Sequence, residues 1–385
     1  MPTDKTYVAE ATDALLPEGV RDDLAPTAEF EAGVVRHLLN SFASYGYDRV
    51  SPPLIEYEES LLKGGGATKS NQMFRLMDVS TQRMMAFRAD MTIQVSRIAT
   101  TRLTQAPRPL RLAYAGPVLR TKGGQLRPSR EFWQAGVELF GDASLEAEAE
   151  VILLAVEALV DAGVKGLSLD LTAASLVPMV ARDMGLSDGD AGTARRALDQ
   201  KDIGSLACLP SKAQKTMRGI LSAAGEHSAA LAKLGKLELG AEASAMVDRL
   251  SQLVSMLLAR KPDLAITIDP GESHGFEYKT GIGFALFARG VRGELGRGGR
   301  YVSVKGEEAT GFSVYLDSLL RALPAPKAFD KIYLPFQTAS AVGEKLRKEG
   351  GRTVQGLTET HDLVDEARRL GCSHFYDGER VTRVK

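Results

Sequence analysis

The chain has 385 residues, 44% of them hydrophobic and 25% charged, with a formal net charge of -1, so it can bury a sizeable core divided between about two or three domains. The near balance of charge excludes a chain-wide grip on nucleic acid, which needs clustered cations that displace counterions; any polyanion site must be local. Cys208 and Cys372 stand far apart without CxxC or Cys/His company, which excludes a disulfide framework and gives no sign of zinc. The leader MPTDKTYVAE has no apolar signal core, and the longest greasy run, 151–160, is interrupted by Glu157. A cytoplasmic location is expected, with neither secretion nor membrane insertion.

In chain order, Phe30, Val34, Val35, Leu38, Leu39 and Phe42 recur at helical spacing and predict an amphipathic helix over 29–45. Next, "YDRVSPPLIEY" carries Pro52 and Pro53; prolines cannot donate to a sheet ladder, so this segment is read as an edge or interface strand. "MFRLMD", "MMAFRAD", "LRLAYAG" and "FWQAGVELFG" alternate with turns, the pattern of antiparallel sheet. "SLEAEAEVILLAVEALVDAGV" predicts a helix with acids in its first turn and Gly163 near its end. From about 174 to 261 helical spacing dominates, which marks a helical insertion. Sheet character returns in "LAITIDP" and "TGIGFALFARG", "GRGGRY" reads as a tight turn whose arginines could face an anion, and "TGFSVYLDSLL" reads as a strand entering a helix. After the linker "PAPKAF", the tail reads as a small β-α-β-α-β unit. The expected division is therefore 1–325 and 326–385.

Three groups of residues carry possible chemistry. In "GPVLRTKGGQLRPSREFWQAGVE", Arg120, Lys122, Arg127 and Arg130 precede the first acid, Glu131. They are either a solvated hairpin tip or a loop that folds over a phosphate or carboxylate. Gln134 and Glu138 lie four apart on a strand and so share a face. With Asp90, they form either a pocket for a donor-rich ligand such as an ammonium or imidazole or a structural hydrogen-bond network. His274 sits in the glycine-bounded turn "GESHGFEYKTG" and reads as a solvated loop histidine; His37, His227, His361 and His374 have no ligand spacing. The "GGG" at 64–66 has no Lys-Ser/Thr sequel. Neither GxSxG nor HExxH occurs.

Taken in order, these segments resemble the class II aminoacyl-tRNA synthetase core, and specifically histidyl-tRNA synthetase, over roughly residues 15–325. "LLPEGVRDDLAP" is similar to the N-terminal signature, and "VSPPLIE" to motif 1. "LRLAYAGPVLR" with "REFWQAGVELFG" is similar to motif 2, and "GFSVYLDSLL" to motif 3. The resemblance implies an α+β fold: a class II synthetase-like antiparallel sheet with flanking helices, a helical insertion and a small C-terminal α/β unit. It also implies homodimerisation through the motif 1 segment.

The departures from the pattern bear on function. The resemblance places Ser318 after Asp317, where an active synthetase has an ATP-clamping arginine, and Tyr315 where it has glycine. Lys122 stands for a motif 2 glutamate, and His274 and Lys279 replace an arginine and a tyrosine of the second signature. Asp90, Thr92, Arg120, Gln134, Glu138 and Tyr278 match or conservatively replace family positions that hold histidine, with Arg120 as carboxylate partner.

A histidine-shaped site without a working ATP site resembles the regulatory subunits of ATP phosphoribosyltransferase. That resemblance implies a noncatalytic subunit, without cofactor or metal, required by a short-form catalytic transferase in a hetero-octamer. The partner makes phosphoribosyl-ATP and pyrophosphate from ATP and phosphoribosyl pyrophosphate, the first step of histidine biosynthesis, and histidine is the candidate effector. The alternatives are a divergent histidyl-tRNA synthetase or related amino-acid ligase, and a noncatalytic tRNA-binding module. Against the last, 327–385 carry 11 Lys and Arg and 9 Asp and Glu, too small an excess to expect nucleic acid.

Overall fold

An apolar stripe on a helix must find a partner surface, and that of α1 (Thr27–Ser44) finds a sheet. Val34, Val35, Leu38 and Phe42 are buried along it, and Phe42 meets Phe312 edge-on with ring centroids 5.6 Å apart. The computed structural model describes residues 15–63, 70–124, 127–273 and 279–384. Two compact units divide them, one of Asp23–Phe30 with Ala325–Lys385 and the other holding the remainder.

After α1 come β1 (Asp48–Arg49), β2 (Ile55–Tyr57), α2 (Glu58–Leu61), β3 (Arg75–Met77), β4 (Met84–Phe87), α3 (Thr92–Thr101), β5 (Leu110–Leu119) and β6 (Glu131–Phe140). The proline segment divides as its chemistry requires. β1 is a two-residue edge strand running parallel to β5, and β2 leaves for a small antiparallel sheet with β4 and β3. Arg88, itself buried, secures the corner by donating to the carbonyls of Pro117 (2.7 Å) and Pro52 (2.9 Å). Burial draws its pKa down, against the pull of Glu56.

Helix α4 (Leu145–Asp161) starts where Ser144 Oγ accepts from the Ala147 amide, and Gly163 beyond its end has φ +105°. Glu148 is one of the acids expected in the first turn. It is buried, 3.2 Å from Arg249 and 3.7 Å from Arg300, and burial pushes its carboxyl up while the two arginines pull it back.

The insertion follows β7 (Leu167–Thr172). It comprises α5 (Leu176–Asp183), α6 (Asp188–Asp199), α7 (Ser211–Ser222), a short β8 (Gly225–Glu226), α8 (His227–Leu234) and α9 (Ala241–Arg260). Arg249 belongs to α9, so the Glu148 cluster anchors the insertion to the sheet. The main chain then forms β9 (Ala265–Asp269), β10 (Lys279–Ala288), β11 (Gly296–Val302), β12 (Glu308–Tyr315) and α10 (Leu316–Ala322). Among the described residues the largest sheet has nine strands in the order β1-β5-β6-β12-β11-β10-β7-β9-β8. From β5 to β7 every pairing is antiparallel.

In the smaller unit, β13 (Lys331–Leu334), α11 (Ser340–Lys348), β14 (Arg352–Gln355) and α12 (Leu363–Arg369) lead to β15 (His374–Tyr376) and β16 (Val381–Arg383). The last strand expected from sequence is a hairpin instead, turned at Asp377 and at Gly378, whose φ of +107° suits glycine. Tyr333, Ala367 and Cys372 form its buried core. No described helix is long and apolar enough to cross a membrane.

The Phe42–Phe312 contact joins α1 to the central sheet, with Phe42 fully buried. Phe42→Ala should lower unfolding free energy by about 3–5 kcal/mol, measured as a fall in urea midpoint.

Candidate functional site

The register of the large sheet sorts side chains before any ligand is considered. Gln134 lies opposite Gly116 and Tyr315, and Glu138 opposite Leu112 and Gly311; Gly299 lies opposite Gly311 on the next strand. With a period of two, one face therefore carries Phe132, Gln134 and Glu138 from β6, Tyr114 from β5, Ser313 and Tyr315 from β12, and Tyr301 from β11. All seven are buried.

A continuous hydrogen-bond chain runs across this face. Asp90 Oδ1 accepts from the Thr92 amide at 2.9 Å, and Asp90 Oδ2 accepts from Gln134 Nε2 at 3.1 Å. Gln134 Oε1 accepts from the Met91 amide at 2.9 Å, and its Nε2 also donates to Ser313 Oγ at 2.6 Å. Ser313 meets the Tyr114 hydroxyl at 2.8 Å; Tyr114 in turn donates to Glu138 Oε1 at 3.2 Å. Tyr301 donates to Glu138 Oε2 at 2.9 Å. One assignment of hydroxyl protons serves the chain, with Ser313 donating to Tyr114 and both phenols donating to the carboxylate. Burial first, and then the charges of Glu138 and Asp90, push the Tyr114 phenol well above its ordinary pKa.

Two glycines make the crossing possible. A Cβ at Gly136 would stand 2.7 Å from the Tyr114 hydroxyl, and one at Gly311 would overlap the Glu138 carboxylate. These glycines are required by close approach rather than by backbone angle.

Asp90, Thr92, Gln134 and Glu138 are thus brought together, with the Thr92 hydroxyl 3.4 Å from that of Tyr114. Arg120 adjoins them, donating weakly to Ala89 O at 3.4 Å, its guanidinium 4.9 Å from the Phe132 centroid. Tyr278 and His274 lie outside the described residues; so does the side chain of Lys279, whose backbone opens β10. Tyr114, Tyr301 and Ser313 were not singled out from sequence. Ser313 and Tyr315 recur at period two in "GFSVY", Tyr114 is the polar tip in the apolar run "LAYA", and Tyr301 ends "GRGGRY", which reads as a turn and is a full strand.

Beside this polar floor the chain fills its own space. The Tyr315 ring packs edge-on to Phe132 at 6.0 Å. Ser318, buried in the first turn of α10, accepts from Arg321 at 3.1 Å. Asp317 is 3.5 Å from Arg127, and its carboxyl is pushed up by burial, opposed by Arg127 and Arg321. The four loop cations do not form a single solvated tip. Lys122 is exposed, but Arg127 faces inward and Arg130 donates to the carbonyls of Arg120 (3.2 Å) and Glu18 (3.1 Å). Among the described residues no cluster of three or more histidine, cysteine or acidic side chains is arranged to hold a metal ion.

A family model described as Histidyl-tRNA synthetase matches residues 19–319. An ATP phosphoribosyltransferase regulatory subunit of Rhodospirillum centenum is 50% identical over 373 residues, covering 97% of each chain. The fold is similar to a Bacillus halodurans structure titled ATP phosphoribosyltransferase regulatory subunit/histidyl-tRNA synthetase. There the TM-score is 0.81 at 24% identity, covering 96% of this chain and 97% of that one. It is also similar to the histidyl-tRNA synthetase of Nostoc, with a TM-score of 0.79 at 17% identity, covering 94% and 90%.

Tyr114→Phe removes a donor to a buried carboxylate and should cost about 1–3 kcal/mol at neutral pH. A phenol raised by folding contributes stability that is full below about pH 10 and falls as pH climbs through its folded pKa. Denaturant midpoints of the variant should therefore decline less steeply than wild type on the alkaline side.

Proposed function

The chain belongs to the ATP phosphoribosyltransferase regulatory subunit family, and we propose that it senses histidine for a short-form catalytic transferase without performing chemistry itself. The observation that carries this reading is the contrast on one sheet face. A complete polar network is kept at Asp90, Gln134 and Glu138, while Tyr315, Ser318 and Arg127 occupy the adjoining ground. Carboxylates and a glutamine oxygen accept from an ammonium and an imidazole, and the Arg120 guanidinium suits the α-carboxylate. Thr92 and Tyr278 belong to the same proposed site. Aminoacyl-adenylate formation needs cations directed at the phosphates, and here Arg127 is directed at Asp317 and Glu294 instead.

A subunit that binds the end product and cannot consume it regulates by favouring one state of an assembly over another, and the coupling is reciprocal. The homodimer, the hetero-octamer with the catalytic subunit and the absence of tRNA binding belong to this same proposal.

The test is reconstitution. The short catalytic subunit alone should turn over slowly, gain rate when this chain is added, and lose it again with histidine. A coupling of about 1–3 kcal/mol would appear as a roughly 5- to 150-fold change in substrate affinity. Glu138→Gln, which removes the charge with little change of shape, should shift the histidine inhibition curve to higher concentration by roughly tenfold or more. Sedimentation of the mixture reports assembly separately. A transferase whose rate and mass are unchanged by this chain contradicts the proposal.

A further inference from the structure

We propose that the space between the Phe132 and Tyr315 rings and the Asp317 and Glu294 carboxylates is a guanidinium receptor, filled by the chain's own Arg127. The guanidinium carbon lies 3.7 Å from the Tyr315 centroid and 5.4 Å from that of Phe132. Arg127 Nε stands 3.5 Å from Asp317 Oδ1, and an Nη stands 3.5 Å from Glu294 Oε1. Arg127 is 13% exposed at its side chain, Glu294 15% and Asp317 6%, so these contacts are largely withdrawn from water, where cation–π and charge attraction are stronger than at a surface.

The shape selects a planar cation. A guanidinium can stack on an aromatic face and meet carboxylates at its edge in one pose, which a compact ammonium cannot. The two acids repel a phosphate. Nearby cations are otherwise engaged. Arg297 donates to Glu294 at 2.6 Å, Arg321 is 4.0 Å from Asp317, and Arg120 lies over Phe132 and donates to Ala89 O. Among the described residues only Arg127 contacts both rings and both acids.

Occupancy in cis also holds the backbone. Gly124 N and Arg127 O meet at 2.7 Å, Arg127 N and Gly124 O at 3.2 Å, and Arg130 N donates to Gly19 O at 2.7 Å. The ion pairs remain at 3.5 Å. The tether therefore stops the arginine short of the distance that an untethered guanidinium could reach. This inference stands apart from the histidine reading, and its test uses neither histidine nor the transferase.

Amide hydrogen exchange at Gly124 and Arg130 reads the contact directly. Arg127→Ala should accelerate exchange roughly tenfold, and so should Arg127→Lys, which keeps the charge and loses the plane. A tethered group acts at millimolar effective concentration. Millimolar methylguanidinium should therefore restore protection to Arg127→Ala, and methylammonium at equal ionic strength should not. Adding Tyr315→Leu to Arg127→Ala should abolish that rescue. Exchange in Arg127→Ala as slow as wild type, rescue by methylammonium equal to that by methylguanidinium, or lost protection that methylguanidinium fails to restore would each overturn the receptor.

Discussion

A carboxylate in the middle of a sheet is costly unless donors reach it, and Glu138 imposes that condition on everything around it. Two phenols from β5 and β11 meet its oxygens. For Tyr114 to arrive, Gly136 must have no side chain; for the carboxylate to fit, Gly311 must have none. Ser313 then links the phenol to Gln134, and Gln134 fixes the Asp90 turn at the start of α3. Strand register, glycine placement and the entry into a helix thus follow from one buried charge. A fully connected network is also rigid, which suits the proposal that this face presents oxygens to a ligand without rearranging.

The neighbouring ground obeys the opposite electrostatics. Asp317 and Glu294 are shielded acids, and a shielded acid requires a cation nearby. The chain supplies Arg127 from the basic loop, backed by the faces of Tyr315 and Phe132. A loop rich in arginine and glycine has the composition for cradling phosphate, yet its inward cation is neutralised by the protein itself. A polar network on one half of the face and self-occupation on the other suit a regulatory member of a synthetase-like family.

Much of the fold was legible because its signals are local. The α1 stripe, the acids in the first turn of α4, the prolines at the sheet edge and the strand shared by Gln134 and Glu138 all follow from spacings of a few residues. The site was legible only in part because the sheet order departs from the chain order. β6 lies between β5 and β12, so Ser313 and Tyr301 reach Gln134 and Glu138 across long sequence intervals. Periodicity says which residues share a face of one strand, but not which strand is next. The same limit hid the ion pairing of Arg127 with Asp317 and the burial of Glu148 between Arg249 and Arg300. At the C-terminus the Asp377-Gly378 pair was a readable turn signal that divides one expected strand into two.

The central claim is that one half of this face accepts an amino acid while the other, being filled, accepts no nucleotide. Calorimetric titration of the isolated chain with histidine and, separately, with ATP tests it most directly. The account predicts saturable heat with histidine, diminished in Asp90→Asn, and none with ATP whether or not histidine is present. Saturable binding of ATP, or histidine heats identical in wild type and Asp90→Asn, would contradict it.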